Sequence, residues 1–391
     1  MKLKSFGDFR EFVSTSSGIR RCVLRCDLNL PSSVRDLSRI MAIKETVSSI
    51  LALGLDVVLI SHYKRPKPAD AYGREFSLAN IVADVSEVLK HDVQFVASSV
   101  WETDPAQINS RITLLENLRF YEGETANDPE FAGALAKFGD VYINDAFSVS
   151  HRQHASVCAI TQCIPSFSGL SLQREVYWLS KLTHEIQRPF SEIIGGSKVS
   201  TKIDVLKRIS QVADHLIITG AMANTFLAAR GFNLQSSMIE EELFDTVREI
   251  TSSSNAEIIL PVDFLVSKDI RTNGIECKLD SILPECACFD IGQQSVDIIK
   301  ERLDKTKTLL WNGAIGAFEF ANFNTATNIL TPYIAHLTKT RGLVTIVGGG
   351  ETIASIGPYK DDMTFVSTAG GAFLEFVAGY GIPGLKGLIN Q

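Results

Sequence analysis

Pro189-Phe190-Ser191-Glu192-Ile193-Ile194-Gly195-Gly196-Ser197-Lys198-Val199-Ser200-Thr201-Lys202 is the stretch that decides how this chain folds. Its first six residues read as a short strand, and two glycines end it. The residues after the glycines read as the opening of a helix, with Lys198 and Lys202 one turn apart on the same face. Glycine lets backbone approach a ligand closely, and a helix N-terminus offers unpaired N–H groups to an anion. Two ammonium groups above such a terminus suit a polyphosphate. The spacing is not that of the Walker loop, GxxxxGK[ST], which occurs nowhere in the sequence.

The same strand, turn and helix recur along the chain. In the first half, Arg21-Cys22-Val23-Leu24-Arg25 leads into Asp27-Leu28-Asn29, and Leu55 to Ile60 into Ser61-His62. Ile112 to Leu115 leads into Glu116-Asn117, and Asp140 to Ile143 into Asn144-Asp145. Stretches of 3.6-residue periodicity lie between them, as at Ile40 to Leu53 and Leu78 to Leu89. In the second half, Leu216 to Ile218 precedes Gly220, and Thr308 to Trp311 precedes Asn312-Gly313. Leu343 to Val347 precedes Gly348-Gly349-Gly350, and Phe365 to Ser367 precedes Gly370-Gly371. This alternation predicts an α/β protein with parallel sheets covered by helices. Leu172 to Leu182 reads as a connecting helix ending near Arg188-Pro189, and polar Lys64 to Glu75 as a surface loop.

Composition narrows the functional classes. With 391 residues, two domains are the default expectation. A net charge of -7 argues against a general nucleic-acid or anionic-membrane binder. No apolar run approaches the ~20 residues that span a bilayer, and the N-terminus lacks the apolar core of a signal peptide. Seven scattered cysteines without a repeated CxxC suit reduced thiols, so a cytoplasmic protein is expected.

The two halves carry different chemistry at their strand ends. The first collects Asp27, Asn29, Arg39, His62, Arg65, Arg119, His151 and Arg152. Guanidinium groups bind carboxylate and phosphate oxygens through paired hydrogen bonds, so a small, doubly anionic substrate is a natural reading. Taken singly, each arginine reads equally as a solvated loop residue or a local ion pair. The second half collects glycines, which strand–helix turns also use for geometry alone. No GxGxxG with an acid ~20 residues on is present, so nucleotide phosphate is preferred to a nicotinamide cofactor. Glu240-Glu241-Glu242 reads as a solvated helix face, and Trp101 and Trp178 as packing residues in helical surroundings.

These motifs resemble those of the phosphoglycerate kinase family, in order and through nearly the whole chain. They are Arg25-Cys26-Asp27-Leu28-Asn29-Leu30-Pro31, Ser61-His62-Tyr63-Lys64-Arg65-Pro66, Leu115-Glu116-Asn117-Leu118-Arg119-Phe120, Asn144-Asp145-Ala146-Phe147 and His151-Arg152. They continue with Gly195-Gly196-Ser197-Lys198-Val199, Trp311-Asn312-Gly313, Phe318-Glu319, Gly348-Gly349-Gly350, Ser367-Thr368 and Gly381-Ile382-Pro383-Gly384-Leu385. The resemblance implies two Rossmann-like domains, each a mainly parallel sheet flanked by helices, joined by a hinge helix. Residues 1–171 with the tail 377–391 would bind 3-phosphoglycerate, 172–188 would form the hinge, and 189–376 would bind nucleotide.

The implied activity is reversible phosphoryl transfer between 1,3-bisphosphoglycerate with ADP and 3-phosphoglycerate with ATP, using Mg²⁺, by a hinge-bending monomer. Asp27, Asn29, Arg39, His62, Arg65, Arg119 and Arg152 would hold the glycerate. Gly196, Lys198, Lys202, Gly220, Asn312, Gly348, Gly349, Gly350, Glu351 and Thr352 would hold the nucleotide, with Glu319 on its ribose. Arg39 and Lys198 would flank the transferring group, with backbone N–H groups at Gly350 and Gly371 completing the cradle.

Several positions depart from the family pattern. Glu351 stands for the aspartate expected to bind the nucleotide's magnesium, and Thr201 for an aspartate between the lysines. Thr219 and Ala221 replace glycines near the adenine site, Ala314 a proline, Ala369 a glycine, and Lys64 a glycine in the His–Arg loop. Ser148-Val149 stands for a Gly-Thr or Gly-Ala pair. An active kinase is the leading expectation. A nucleotide-binding relative with weak or altered catalysis is the alternative, and a kinase for another small acid is a third reading.

Overall fold

The computed structural model describes residues 2–30, 36–66 and 74–390. Pro31 and the middle of the loop expected over Lys64 to Glu75 lie outside the described residues. The chain divides into two units, Met1–Tyr177 with Gly381–Gln391, and Trp178–Tyr380. Against the expected limits of 171 and 377, the division falls inside the helix Leu170–His184 and after Tyr380.

The first unit is a six-stranded parallel sheet in the order Gln94–Val96, Ile112–Leu115, Asp56–Ile60, Arg21–Arg25, Val141–Asn144, Ser166–Ser168. Its inner strands are apolar nearly throughout because helices cover both faces. Alternate residues supply two cores. Cys22, Leu24, Val57 and Leu59 pack one way, and Val23, Val58 and Tyr142 the other. The tail belongs to this unit: Lys4 donates its N–H to the Leu388 carbonyl (2.6 Å), and Gly384 to that of Ser150 (2.8 Å). A Cβ on Gly384 would lie 2.4 Å from Val157, so only glycine lets the tail seat there.

The second unit repeats the plan in the order Phe365–Ser367, Val344–Gly348, Thr308–Asn312, Phe190–Ile194, His215–Ile218, Glu257–Ile259. It adds a three-stranded antiparallel sheet, Ile275–Lys278, Asp263–Ser267 and Ala287–Ile291, which the sequence reading did not anticipate. The outer strand of that sheet is largely exposed and lacks the apolar run that marks the parallel strands.

Strand order matters for ligands. In an open α/β sheet the carboxyl ends part where successive strands begin to run to opposite sides, and a ligand crevice forms there. In unit one this point lies between Arg21–Arg25 and Val141–Asn144. In unit two it lies between Phe190–Ile194 and Thr308–Asn312.

Candidate active site

At the parting of unit two's strands, glycine turns interlock. The Gly195 N–H donates to the Asn312 carbonyl (2.9 Å) and Gly196 to that of Ala314 (3.0 Å). Gly220 donates to Ile315 (2.7 Å), and Met222 donates back to Gly196 (3.1 Å). Gly196, Gly220, Gly313 and Gly349 all adopt positive φ, between 65° and 110°, which residues with a Cβ rarely take. Gly348 is packed beneath Phe373, while Gly350 and Gly371 open the short helices Gly350–Ile356 and Gly371–Val377.

The lysines are not on a helix. Lys198 is extended, Val199–Thr201 is a single 3₁₀ turn, and the α-helix begins only at Ile203. The same-face expectation is therefore corrected, because the positive φ of Gly196 and the tight turn delay helical geometry by several residues. Lys198 is exposed and makes no ion pair among the described residues. Lys202 turns inward, its Nζ donating to the carbonyls of Gly195 (2.8 Å) and Asn312 (3.2 Å), and so ties the two strand ends together. Its turn is braced from outside by Glu240, whose carboxylate accepts from the Ser200 N–H and hydroxyl. Glu240 is thus a tether rather than part of a solvated face.

Beneath Lys202 lies a residue that sequence reasoning missed. Glu192, at the centre of its strand, is fully buried, and neither carboxylate oxygen has a hydrogen-bond partner. Burial pushes its carboxyl up to about 8, opposed only by Lys202, and burial pushes Lys202 down to about 8. A lone acid in an otherwise apolar buried strand was the available signal. Because its folded value lies above the ordinary 4.5, Glu192 contributes stability below pH 4.5 that is lost as pH rises through 8. Glu192→Gln should flatten that decline. Thermal unfolding should show a gain of about 1–3 kcal/mol near pH 8.5 and little near pH 5. A gain equal at both values would mean that ionisation is not the cause.

The remaining unit-two candidates divide. Thr352 is buried, its hydroxyl accepting from the Gly313 N–H (2.6 Å) and donating to the Gly348 carbonyl (2.8 Å), so it braces the turn. Asn312 donates to the same carbonyl (2.8 Å), while its Oδ1 is buried without a partner. Glu351 is exposed, and its carboxylate stands 4.0 Å from where a Cβ on Gly196 would be, on the side of Lys202. Glu319 is exposed in the turn after Thr308–Asn312. Beside Gly220, a cavity lined by Asn224, Phe289 and Ile315 holds about 10 Å³, room for about one water.

Unit one gathers its candidates at the other parting of strands. Asp27 accepts from Arg39 Nη1 and from the Ser148 hydroxyl (both 2.5 Å). Asn29 Oδ1 accepts the Lys64 N–H (2.7 Å), and Arg119 Nη1 donates to the Lys64 carbonyl (2.5 Å). Lys64 holds φ at 53°, a strained setting for a residue with a Cβ. His62 is buried and Arg65 exposed. Like charges crowd the site. Burial, then Arg152, Arg25 and Arg65, push Arg119 down to about 10. Burial, then Arg25, Arg119 and Arg152, hold His62 well below its usual range. Arg119 Nε is buried without a partner. An arrangement that desolvates several cations together is costly unless an anion completes it.

Comparison with known proteins agrees with this geometry. The family model for phosphoglycerate kinase matches residues 16–380. The chain belongs to the phosphoglycerate kinase family. A phosphoglycerate kinase of Brucella melitensis is 40% identical over 395 residues, covering 96% of this chain and 98% of the relative. That of Chelativorans is 40% identical over 385 residues, covering 94% and 96%. The solved phosphoglycerate kinase of Coxiella burnetii superposes with a TM-score of 0.86 at 31% identity, covering 96% and 97%. That of Pyrococcus horikoshii gives 0.81 at 27%, covering 94% and 96%.

The candidates chosen from the phosphoglycerate kinase motifs leave out the buried base of the unit-one cluster. Arg25 is fully buried and donates to Ser156 Oγ (2.9 Å), the Cys26 carbonyl and His62 Nδ1 (3.2 Å). Glu124, also fully buried, stands behind Ser156. Arg25 sits inside one of the family motifs, where a cation ending an apolar strand was the signal. Trp101 lies in an exposed turn near Phe131 rather than in a helix.

Proposed function

We propose that this chain transfers a phosphoryl group reversibly between 1,3-bisphosphoglycerate with ADP and 3-phosphoglycerate with ATP. Unit one would hold the glycerate and unit two the nucleotide. The observation that carries this reading is the charge at the parting of unit one's strands. Arg119 keeps a buried, unpartnered Nε among cations that lower its own pKa, an arrangement that calls for a multiply charged anion. Family membership names that anion as a phosphoglycerate.

In this reading Arg119, Arg152, Arg65 and His62 bind the acid substrate, and Asp27 orients Arg39 toward the group being transferred. Asn29 fixes the backbone of Lys64 so that the loop presents Arg65. On unit two, the N–H groups around Gly349, Gly350 and Gly371 take phosphate oxygens, and exposed Lys198 meets the outermost phosphate. Lys202 holds the strand ends and adds charge beneath the phosphates. Donor and acceptor are held on separate units, so transfer requires the units to close on them and exclude water.

Mg²⁺ would travel with the nucleotide and neutralise its phosphates. No group of three or more His, Cys, Asp or Glu side chains among the described residues is placed to hold a metal. One exposed carboxylate, Glu351, beside a glycine turn fits an ion that keeps several waters and its phosphate ligands. Among the described residues no helix is long and apolar enough to cross a membrane. A cytoplasmic monomer is the proposed working form.

The test is ATP formation from 1,3-bisphosphoglycerate and magnesium ADP. Lys198→Ala should lower kcat by about 10²–10³-fold while changing the nucleotide KM far less, as expected of a group that acts on developing charge. If the wild type turns over no faster than this variant while still binding ADP, the weakly catalytic alternative replaces the kinase.

A further inference from the structure

The buried guanidinium of Arg25 decides which nitrogen of His62 carries the proton. Arg25 Nη2 lies 3.2 Å from His62 Nδ1. A guanidinium has only donors, so Nδ1 must be the acceptor in this contact. The ring's one remaining proton then belongs to Nε2, which makes no hydrogen bond among the described residues. Arg25 cannot drift from this position, because Nε is held by Ser156 Oγ (2.9 Å) and Nη1 by the Cys26 carbonyl. Ser156 in turn donates its hydroxyl to Glu124 Oε1 (2.7 Å) and its N–H to Oε2 (2.9 Å). Every member of this network except His62 is fully buried, and His62 is 2% exposed.

We propose that Arg25 is a positioning residue that locks His62 as the Nε2–H tautomer, presenting one hydrogen-bond donor to an oxygen of the acid substrate. The substrate's name rests on the proposed function above; the tautomer is a property of the free protein. His62 is then a neutral donor and supplies no proton to the reaction. The cations that face it, Arg25, Arg119 and Arg152, and the titratable His154 all oppose an imidazolium. The anion is met by arginine charge, and the histidine adds direction without adding charge.

The decisive measurement is a long-range ¹H–¹⁵N spectrum of the full chain with ¹⁵N-labelled histidine, assigned through His62→Gln. The wild type should show His62 with Nε2 protonated and Nδ1 bare, unchanged from about pH 8 to about pH 5.5. Arg25→Met should release the lock, giving Nδ1–H or imidazolium signal. It should also raise the KM for 3-phosphoglycerate about tenfold, with kcat within about threefold. Should the methionine variant not fold, Arg25→Gln serves, since an amide both donates and accepts and should give a mixture of tautomers. A wild-type ring that is Nδ1–H, or charged near pH 6.5, overturns the proposal. So does a folded Arg25 variant whose His62 signals do not move, whatever its KM. Absence of 3-phosphoglycerate binding with the tautomer intact would count against the substrate assignment alone.

Discussion

Gly195→Ala should cost the enzyme at least about a hundredfold in kcat/KM for nucleotide and destabilise unit two by about 3 kcal/mol. A Cβ at this position would sit 2.0 Å from the Ala314 carbonyl oxygen and 2.7 Å from Thr219 Oγ1. The first is backbone, so no side-chain rotation relieves the clash. The strand ends must separate, and that strains two bonds at once. The Gly195 N–H donates to the Asn312 carbonyl, and the Gly195 carbonyl accepts Lys202 Nζ. Movement of Asn312 also carries Gly313, whose N–H is bonded to Thr352. One methyl group therefore disturbs the turns at Gly195 and Gly313 and, through Thr352, the turn at Gly348. Gly133→Ala is the internal control, because it lies in the helix Pro129–Ala136 with nothing within 4 Å of an added Cβ. That change should be neutral or stabilise by up to about 1 kcal/mol. Steady-state kinetics and thermal unfolding of both variants check the pair. Normal nucleotide kinetics in Gly195→Ala would mean that the turn yields and the strand ends are not held as described.

The same glycine shows what was legible beforehand and what was not. Strand ends punctuated by glycine were readable because an extended apolar run and a residue without Cβ are local signals. From them the parallel sheets and the placement of both candidate sites at strand ends follow. The conformation of Ser197 to Lys202 was not readable, since a helix pattern and a 3₁₀ turn share the same residues until the turn at Ala314 is in place. Lys202 illustrates the consequence. Its spacing from Lys198 suggested a shared helical face, yet its partners are carbonyls 7 and 110 residues away in sequence. Glu240, 40 residues from Ser200, was equally invisible. On unit one, the residues facing solvent or substrate carry motif character and were found. Those one layer down, Arg25, Glu124 and Ser156, were not, because burial of a charge is known only when its neighbours are.

That buried layer carries the second large effect. Glu124→Ala should destabilise unit one by about 3–5 kcal/mol, the range for removing one partner of a buried charged network. Glu124 accepts two bonds from Ser156 and stands 3.5 Å from His154 Nδ1. Its loss leaves Arg25 among the cations that already lower Arg119 and His62, without the carboxylate whose charge raises Arg119 against them. Burial alone would raise the Glu124 carboxyl. The His154 hydrogen bond, the Arg25 charge and the Ser156 bonds outweigh it and hold the group below its ordinary 4.5. A depressed folded value means that this stability is present above pH 4.5 and is lost as the pH falls through the folded value. Glu124→Gln, which keeps the shape but cannot ionise, should therefore approach wild-type stability only in acid, with the gap opening as pH rises through the folded value and complete above about pH 4.5. Denaturant unfolding from about pH 3.5 to about pH 7.5 measures that gap directly. A gap independent of pH would mean that Glu124 acts by packing, and would leave the cations of unit one without the counter-charge assigned to them here.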